Sequence, residues 1–115
     1  MPLSEFELKK IEKAGEAFLK KRRPPVSARH QVDLGWRIDK KSVLIIETRP
    51  VWNNPSEHQE LICAKATFVR SQGIWKIYWM RQDLKWHSYE PCSHVKAIGQ
   101  VFDVVDKDEY GCFFG

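Results

Sequence analysis

Ile74-Trp75-Lys76-Ile77-Tyr78-Trp79-Met80-Arg81, a break at Gln82-Asp83-Leu84, then Lys85-Trp86-His87-Ser88-Tyr89, is the stretch whose reading decides the fold. It holds three of the five tryptophans in the chain, and aromatic and cationic residues alternate along it. In an extended chain successive side chains point to opposite faces, so Trp75, Ile77 and Trp79 share one face and Lys76, Tyr78 and Met80 the other. The pattern therefore predicts two strands of a sheet, the first with a core face and a polar face.

The segment before it supplies the pairing partner. Leu61 to Arg70 reads as a strand with Ile62, Ala64, Ala66 and Phe68 on one side and Cys63, Lys65 and Thr67 on the other. Ser71-Gln72-Gly73 then turns the chain. A two-residue Gln72-Gly73 turn, or a four-residue loop of the same register, sets Arg70 opposite Trp75, Phe68 opposite Ile77 and Ala66 opposite Trp79. Thr67 then faces Tyr78, and Lys65 faces Met80. A three-residue loop would exchange the faces and place Lys65 opposite Trp79.

Upstream, Arg29 to Ile38 alternates as a half-buried strand, with Val32, Leu34, Trp36 and Ile38 on its apolar side. Asp39-Lys40-Lys41-Ser42 is polar and of turn size. Val43 to Arg49 follows as a second strand, apolar on both faces over Val43-Leu44-Ile45-Ile46 and hence central, with Pro50 expected to end it. Residues 51 to 59, which include Asn53-Asn54-Pro55, read as the longest interior loop.

Helices flank these strands. Ser4-Glu5-Phe6-Glu7 has the form of a capping box, and Leu8, Ile11, Gly15, Phe18 and Leu19 recur at helical spacing. Gly15 costs a helix about 1 kcal/mol relative to Ala, so its place on the apolar stripe predicts close approach to a neighbouring element. Lys20-Lys21-Arg22-Arg23 suits a helix C-terminus, and Pro24-Pro25 stops it. A second helix is expected after Pro91-Cys92-Ser93, with Ser93 as cap and Val95, Ile98, Val101, Phe102 and Val105 as its stripe. The acidic Asp106-Lys107-Asp108-Glu109 should lie past its end. Tyr110 to Phe114 is too apolar for a free tail and should pack back. The expected fold is α+β: an N-terminal helix, a five-stranded antiparallel meander and a C-terminal helix packed on the sheet.

Composition bounds the rest. The chain has 115 residues, 43% hydrophobic and 30% charged, with a net charge of +4. That is one domain, 1–115, with enough length for a core of its own. Three cysteines at unpaired spacing argue against a disulfide framework and for a reducing cytoplasm. The first residues, Met1-Pro2-Leu3-Ser4-Glu5, carry no secretory pattern. No apolar run reaches the roughly 20 residues of a membrane span.

The chain resembles a family of short uncharacterised bacterial proteins catalogued as a domain of unknown function. The residues that carry the resemblance are Glu47-Thr48-Arg49-Pro50, Tyr78-Trp79-Met80-Arg81, Lys85-Trp86-His87-Ser88-Tyr89 and Phe113-Phe114-Gly115. It covers nearly the whole chain, and it implies a cytoplasmic bacterial protein without supplying an activity.

Four constellations bear on chemistry. If Asp33 lies near Arg49, then Asp33, Glu47, Arg49, Lys65 and Tyr78 share one polar face, either as a site or as a structural ion-pair network. Asp33, Glu47 and Lys65 faintly resemble the acid, acid and lysine of restriction-endonuclease-like folds, which makes a metal-dependent phosphodiesterase the enzymatic alternative. Arg49, however, stands where lysine is usual. Cys92-Ser93-His94, with His87 and Cys112, lacks paired Cys-x2-Cys spacing, so neither a metal nor another cofactor is expected.

The fourth is an anion or nucleic-acid surface. Lys20, Lys21, Arg22, Arg23, Arg29 and Lys85 would meet phosphates, with Trp86 and His87 as stacking groups. The Lys20–Arg23 run also reads simply as a solvated helix end. The favoured reading is a non-enzymatic binding or accessory module with an anionic, nucleic-acid partner. A protein-interaction module using a sheet edge or the apolar tail is the remaining alternative.

Overall fold

The computed structural model describes residues 3–114; Gly115, the last residue of the tail motif, lies outside them. Their order is α1 (Glu5–Arg22), β1 (Asp33–Asp39), β2 (Ser42–Val51), β3 (Asn54–Val69), β4 (Ile74–Met80), β5 (Trp86–Ser88), β6 (His94–Val95) and α2 (Ile98–Lys107). The fold is α+β, an open antiparallel sheet that runs β1-β2-β3-β4-β5 as a meander, with β6 added to β4 beyond β5. No helix among the described residues is long and apolar enough to cross a membrane.

α1 begins as its capping box dictates. Ser4 Oγ accepts from the Glu7 amide at 3.2 Å, and Glu7 Oε1 accepts from the Ser4 amide at 2.8 Å. Ile11, Gly15 and Phe18 are buried. A Cβ built on Gly15 would stand 2.3 Å from the Trp36 indole, so the glycine is what lets the helix lie against β1. α2 starts at Ile98, about one turn later than a cap at Ser93 would place it. Ser93 does not cap it, because the chain first forms a 3-10 turn over Glu90–Cys92 and then the short strand β6. The amides of Lys96 and Ala97 instead donate to Gln100 Oε1. At its other end Asp108 adopts a left-handed backbone, φ 40°. Its carboxylate accepts from the amides of Phe113 and Phe114, both at 3.0 Å. Asp106 and Lys107 thus still belong to the last turn of α2, contrary to expectation, and only Asp108 and Glu109 lie past it. Asp108 ties the tail back, with Phe113 buried against Tyr89.

Four strand expectations change. β1 starts at Asp33 and not at Arg29, because the chain is still turning after the 3-10 turn Val26–Ala28, with the amides of Gln31 and Val32 donating back to the Ala28 carbonyl. Pro50 sits inside β2 opposite His58. β1 pairing ends at Thr48, so β2 has a neighbour on one side only at Pro50, where a missing N–H is tolerated. The expected loop 51–59 is a hairpin: β3 begins at Asn54, after a turn at Trp52-Asn53. The β3–β4 register is shifted by two residues, with Phe68 opposite Trp75, Ala66 opposite Ile77, Ala64 opposite Trp79 and Lys65 opposite Tyr78. A shift of two preserves the faces; the four-residue turn Arg70–Gly73 sets it.

The core lies between the helices and one face of the sheet. Leu34, Val43, Ile45, Ala64, Ala66, Trp75 and Ile77 from the strands meet Ile11 and Phe18 of α1 and Val101, Phe102 and Val105 of α2. We call this the inner face. Both helices occupy it, which leaves the outer face open.

Candidate functional site

Register decides which of the expected site residues meet. A two-residue turn at Lys40-Lys41 pairs Asp39 with Ser42, and therefore Asp33 with Thr48 and Leu34 with Glu47. Asp33 opposite Arg49, the pairing a shared polar face requires, would need a loop of odd length. One residue of slip moves Glu47 and Arg49 to the inner face and leaves Asp33 on the outer one. A bulge at Cys63 adds a second exchange: Ala64 stays opposite Ile45, but Ile62 falls opposite Ile46 and so joins the outer face.

The five polar-face residues accordingly form three groups. Asp33 makes a two-pronged pair with Arg23, both contacts at 2.9 Å. The Arg23 guanidinium holds its carboxyl below the usual range, burial opposing. Glu47 pairs with Arg49 on the same strand. Lys65 and Tyr78 stand together on the outer face, where the Lys65 ammonium lies 6.0 Å from the Tyr78 ring and 5.8 Å from Trp86. Asp33, Glu47 and Lys65 do not converge as the phosphodiesterase reading requires. Among the described residues no group of three or more His, Cys, Asp or Glu side chains is placed to hold a metal ion.

The basic residues divide as well. Lys21 and Arg22 both reach Asp106, at 3.1 and 3.0 Å, and Arg22 also covers the Phe114 ring. Burial works to raise the Asp106 carboxyl, but Arg22 and Lys21 outweigh it and hold it low. Arg29 donates to the Pro24 carbonyl, while Lys20 and Lys85 are exposed. Lys21 and Arg22 therefore fasten α1 to α2, and Arg23 fastens it to β1. His87 is on the inner side of β5, opposite Trp79, and bonds to Asp83 at 2.8 Å. Tyr89 is buried against Phe113. Burial, with the Glu47 charge behind it, pushes the Cys63 thiol up to about 11. It therefore stays protonated and unreactive at neutral pH.

What remains is one continuous outer-face surface. Leu44 and Ile46 of the central strand form its floor and are only 9% and 5% exposed although no helix covers them. Arg37 and Lys65 flank Leu44, and Gly35 and Ile62 flank Ile46. Long cationic side chains lay apolar stems across such a floor while their charges stay in water. On β4 and β5 the same face carries Lys76, Tyr78, Met80, Trp86 and Ser88, with Trp86 opposite Met80. Arg37 pairs with Glu60, whereas Lys65 is held between two rings. Sequence reasoning found Lys65, Tyr78 and Trp86. It missed the floor, because Leu44 and Ile46 look like core in a doubly apolar strand, and it missed Ile62 because a bulge leaves no periodic mark.

A family profile matches residues 3–115. The chain belongs to the family DUF3024, a domain of unknown function. No curated protein and no solved structure matches the chain significantly. Family membership supplies no site, so any function has to be argued from the geometry of this DUF3024 domain.

Proposed function

We propose that this DUF3024 domain is a non-enzymatic binding module that takes single-stranded nucleic acid on the outer face of its sheet. The observation that carries the reading is the Tyr78–Lys65–Trp86 cluster on the face that neither helix covers. Two partly exposed rings offer stacking surfaces that accept any base, worth about 1–3 kcal/mol per base. Lys65, Lys76 and Arg37 supply cations for the backbone between them. An open sheet face with aromatics at its centre is a general solution for single strands, whose bases are unstacked and can be splayed out. A duplex presents stacked bases and has no use for these rings.

The test is a tryptophan-fluorescence titration with a short oligothymidylate at low salt. Saturable quenching is expected, and affinity should fall with salt at a slope of about −0.7 per phosphate contacted. Tyr78→Ala and Trp86→Ala should each weaken binding by about 1–3 kcal/mol. Lys65→Ala should flatten the salt slope by about 0.7. Absence of quenching at low salt, or quenching indifferent to salt, would sink the reading.

A further inference from the structure

α1 carries a second stripe beside the one it buries. Phe6, Lys10, Lys13, Ala14 and Ala17 fall on one helical face, about a third of a turn from Ile11, Gly15 and Phe18. Together with the start of α2 and the β3–β4 turn they enclose a groove of about 670 Å³. This is on the helix side of the molecule, away from the outer sheet face. Its apolar walls are Phe6, Phe68, Trp75 and Ile98, and its floor is shaped by the small side chains of Ala14 and Ala17. The groove continues along the α1–α2 crevice as a narrower space of about 200 Å³ that shares Ala14, Ala17 and Gly99 and runs past Phe102.

Charge at the wide end is one-sided. Lys10, Lys13 and Lys96 line the opening, and the Lys10 ammonium stands 4.5 Å from the Phe6 ring centre. The acid in this lining, Glu7, is already engaged by the Ser4 amide and by Arg70. The volume lies within the roughly 300–1,000 Å³ of small-molecule sites, which are apolar with a few placed polar groups. Three ammonium groups at a mouth, and behind it a narrow channel walled by Ala14, Ala17, Phe18, Gly99 and Phe102 before it reaches Lys21, Asp103 and Asp106, complement one kind of molecule. We propose that the groove binds a single-chain apolar carboxylate, with its head at Lys10, Lys13 and Lys96 and its chain lying over Ala14, Ala17 and Gly99.

Gly99 gives a clean test. Its backbone is ordinary, and a Cβ placed on it would meet nothing within 4 Å. Gly99→Leu should thus fill the channel while the fold melts as before or slightly higher, since Leu is the better helix former. The probe is laurate below its micellar concentration, followed by amide and Trp75 indole chemical shifts on the full chain. Saturable binding is expected, with shifts at Gly99, Trp75 and Lys96. Dodecyltrimethylammonium, with the same chain and opposite head, should bind about tenfold or more weakly, a gap of 1.4 kcal/mol or more. Gly99→Leu should weaken laurate at least as much, and the Lys10→Glu, Lys96→Glu double variant should remove the preference for the anion.

Equal affinity for the two amphiphiles, or full laurate affinity in Gly99→Leu, overturns the proposal. Indifference to monomeric laurate combined with sedimentation on anionic vesicles would assign the groove to a membrane surface instead. Dimers that Gly99→Leu dissolves would assign it to a second copy of the chain. Either result also overturns it. Failure of the nucleic-acid titration leaves this test untouched, because the two sites lie on different sides of the sheet.

Discussion

The two faces of β4 differ by a single residue step and have opposite roles. Ile77 is fully buried and faces both helices, while Tyr78 is partly exposed beside Lys65 with nothing above it. Both faces are rich in apolar atoms, so hydrophobicity alone does not separate them. What separates them is company. Inner-face residues meet other apolar side chains, whereas the outer face sets cations among its apolar residues, with Arg37 and Lys65 flanking Leu44 and Lys65 also beside Tyr78 and Trp86. An apolar surface ringed by cations and left uncovered is suited to a ligand with flat apolar parts and negative charge.

The largest test of that contrast is a pair of truncations. Ile77→Ala should cost about 2–5 kcal/mol in urea unfolding, the range for a fully buried aliphatic side chain. Tyr78→Ala, one position on, should cost about 1 kcal/mol or less, because it leaves no closed cavity. Equal losses would mean that the outer face is packed as tightly as the core, and the open-surface reading would fail with it.

Gly15 probes the inner face from the other side. Gly15→Ala gains helix propensity worth about 1 kcal/mol, yet its methyl would run into the Trp36 ring. Overpacking of this kind costs about 1–3 kcal/mol, so a net loss of stability is expected by thermal melting. A stabilised Gly15→Ala protein would show that Trp36 can swing aside and that α1 is not held against β1 by this contact.

How much of this was legible in the sequence follows from what each element needs. The capping box of α1, the Gly15 approach and the inner stripe of β4 could be read, because each depends on local chemistry or on an unbroken period. The arm Asn54–Glu60 could not. All seven residues are exposed, and the strand is held by backbone pairing to β2, which no side-chain pattern records. The polar face failed on parity. Asp33 and Glu47 alternate correctly within their own strands, but the turn length decides which faces coincide. The apolar pattern contained the answer, since Val43 and Ile45 belong with Trp36 and Ile38 on the covered side. The Cys63 bulge left no mark at all. Of the candidate site, the three residues that stand together, Lys65, Tyr78 and Trp86, are those whose placement needed only strand parity near the β3–β4 and β4–β5 turns.

Acid should loosen the helix side of the molecule. In the folded protein the Asp33 and Asp106 carboxyls both titrate below their ordinary value, Asp33 through Arg23, and Asp106 through Arg22 and Lys21 against the opposing effect of burial. Groups depressed on folding contribute stability above their unfolded pKa, about 4 for Asp, and lose it as pH falls through the folded value. The melting temperature should therefore drop as pH is lowered below about 4. Asp33→Asn with Asp106→Asn should lower it at pH 7 and flatten that decline. A double variant with an unchanged acid limb would show that these pairs do not fasten α1 to its neighbours.

The smallest expected effect lies at the tip of the β2–β3 arm. Trp52 is 91% exposed and belongs to neither face. Trp52→Phe should change stability by no more than about 0.5 kcal/mol, as surface substitutions away from special features do. It should nonetheless remove the most red-shifted and most acrylamide-accessible part of the emission, because a water-exposed indole contributes most to both. The variant thereby sharpens the contrast of faces: with Trp52 gone, Trp36, Trp75, Trp79 and Trp86 remain, and quenching that survives Trp52→Phe but is lost in Trp86→Phe comes from the outer face. If the quenching disappears with Trp52 while affinity measured by another method is unchanged, single strands are bound at the arm tip. The outer face then loses its claim, although its open, cation-flanked geometry would still need an occupant.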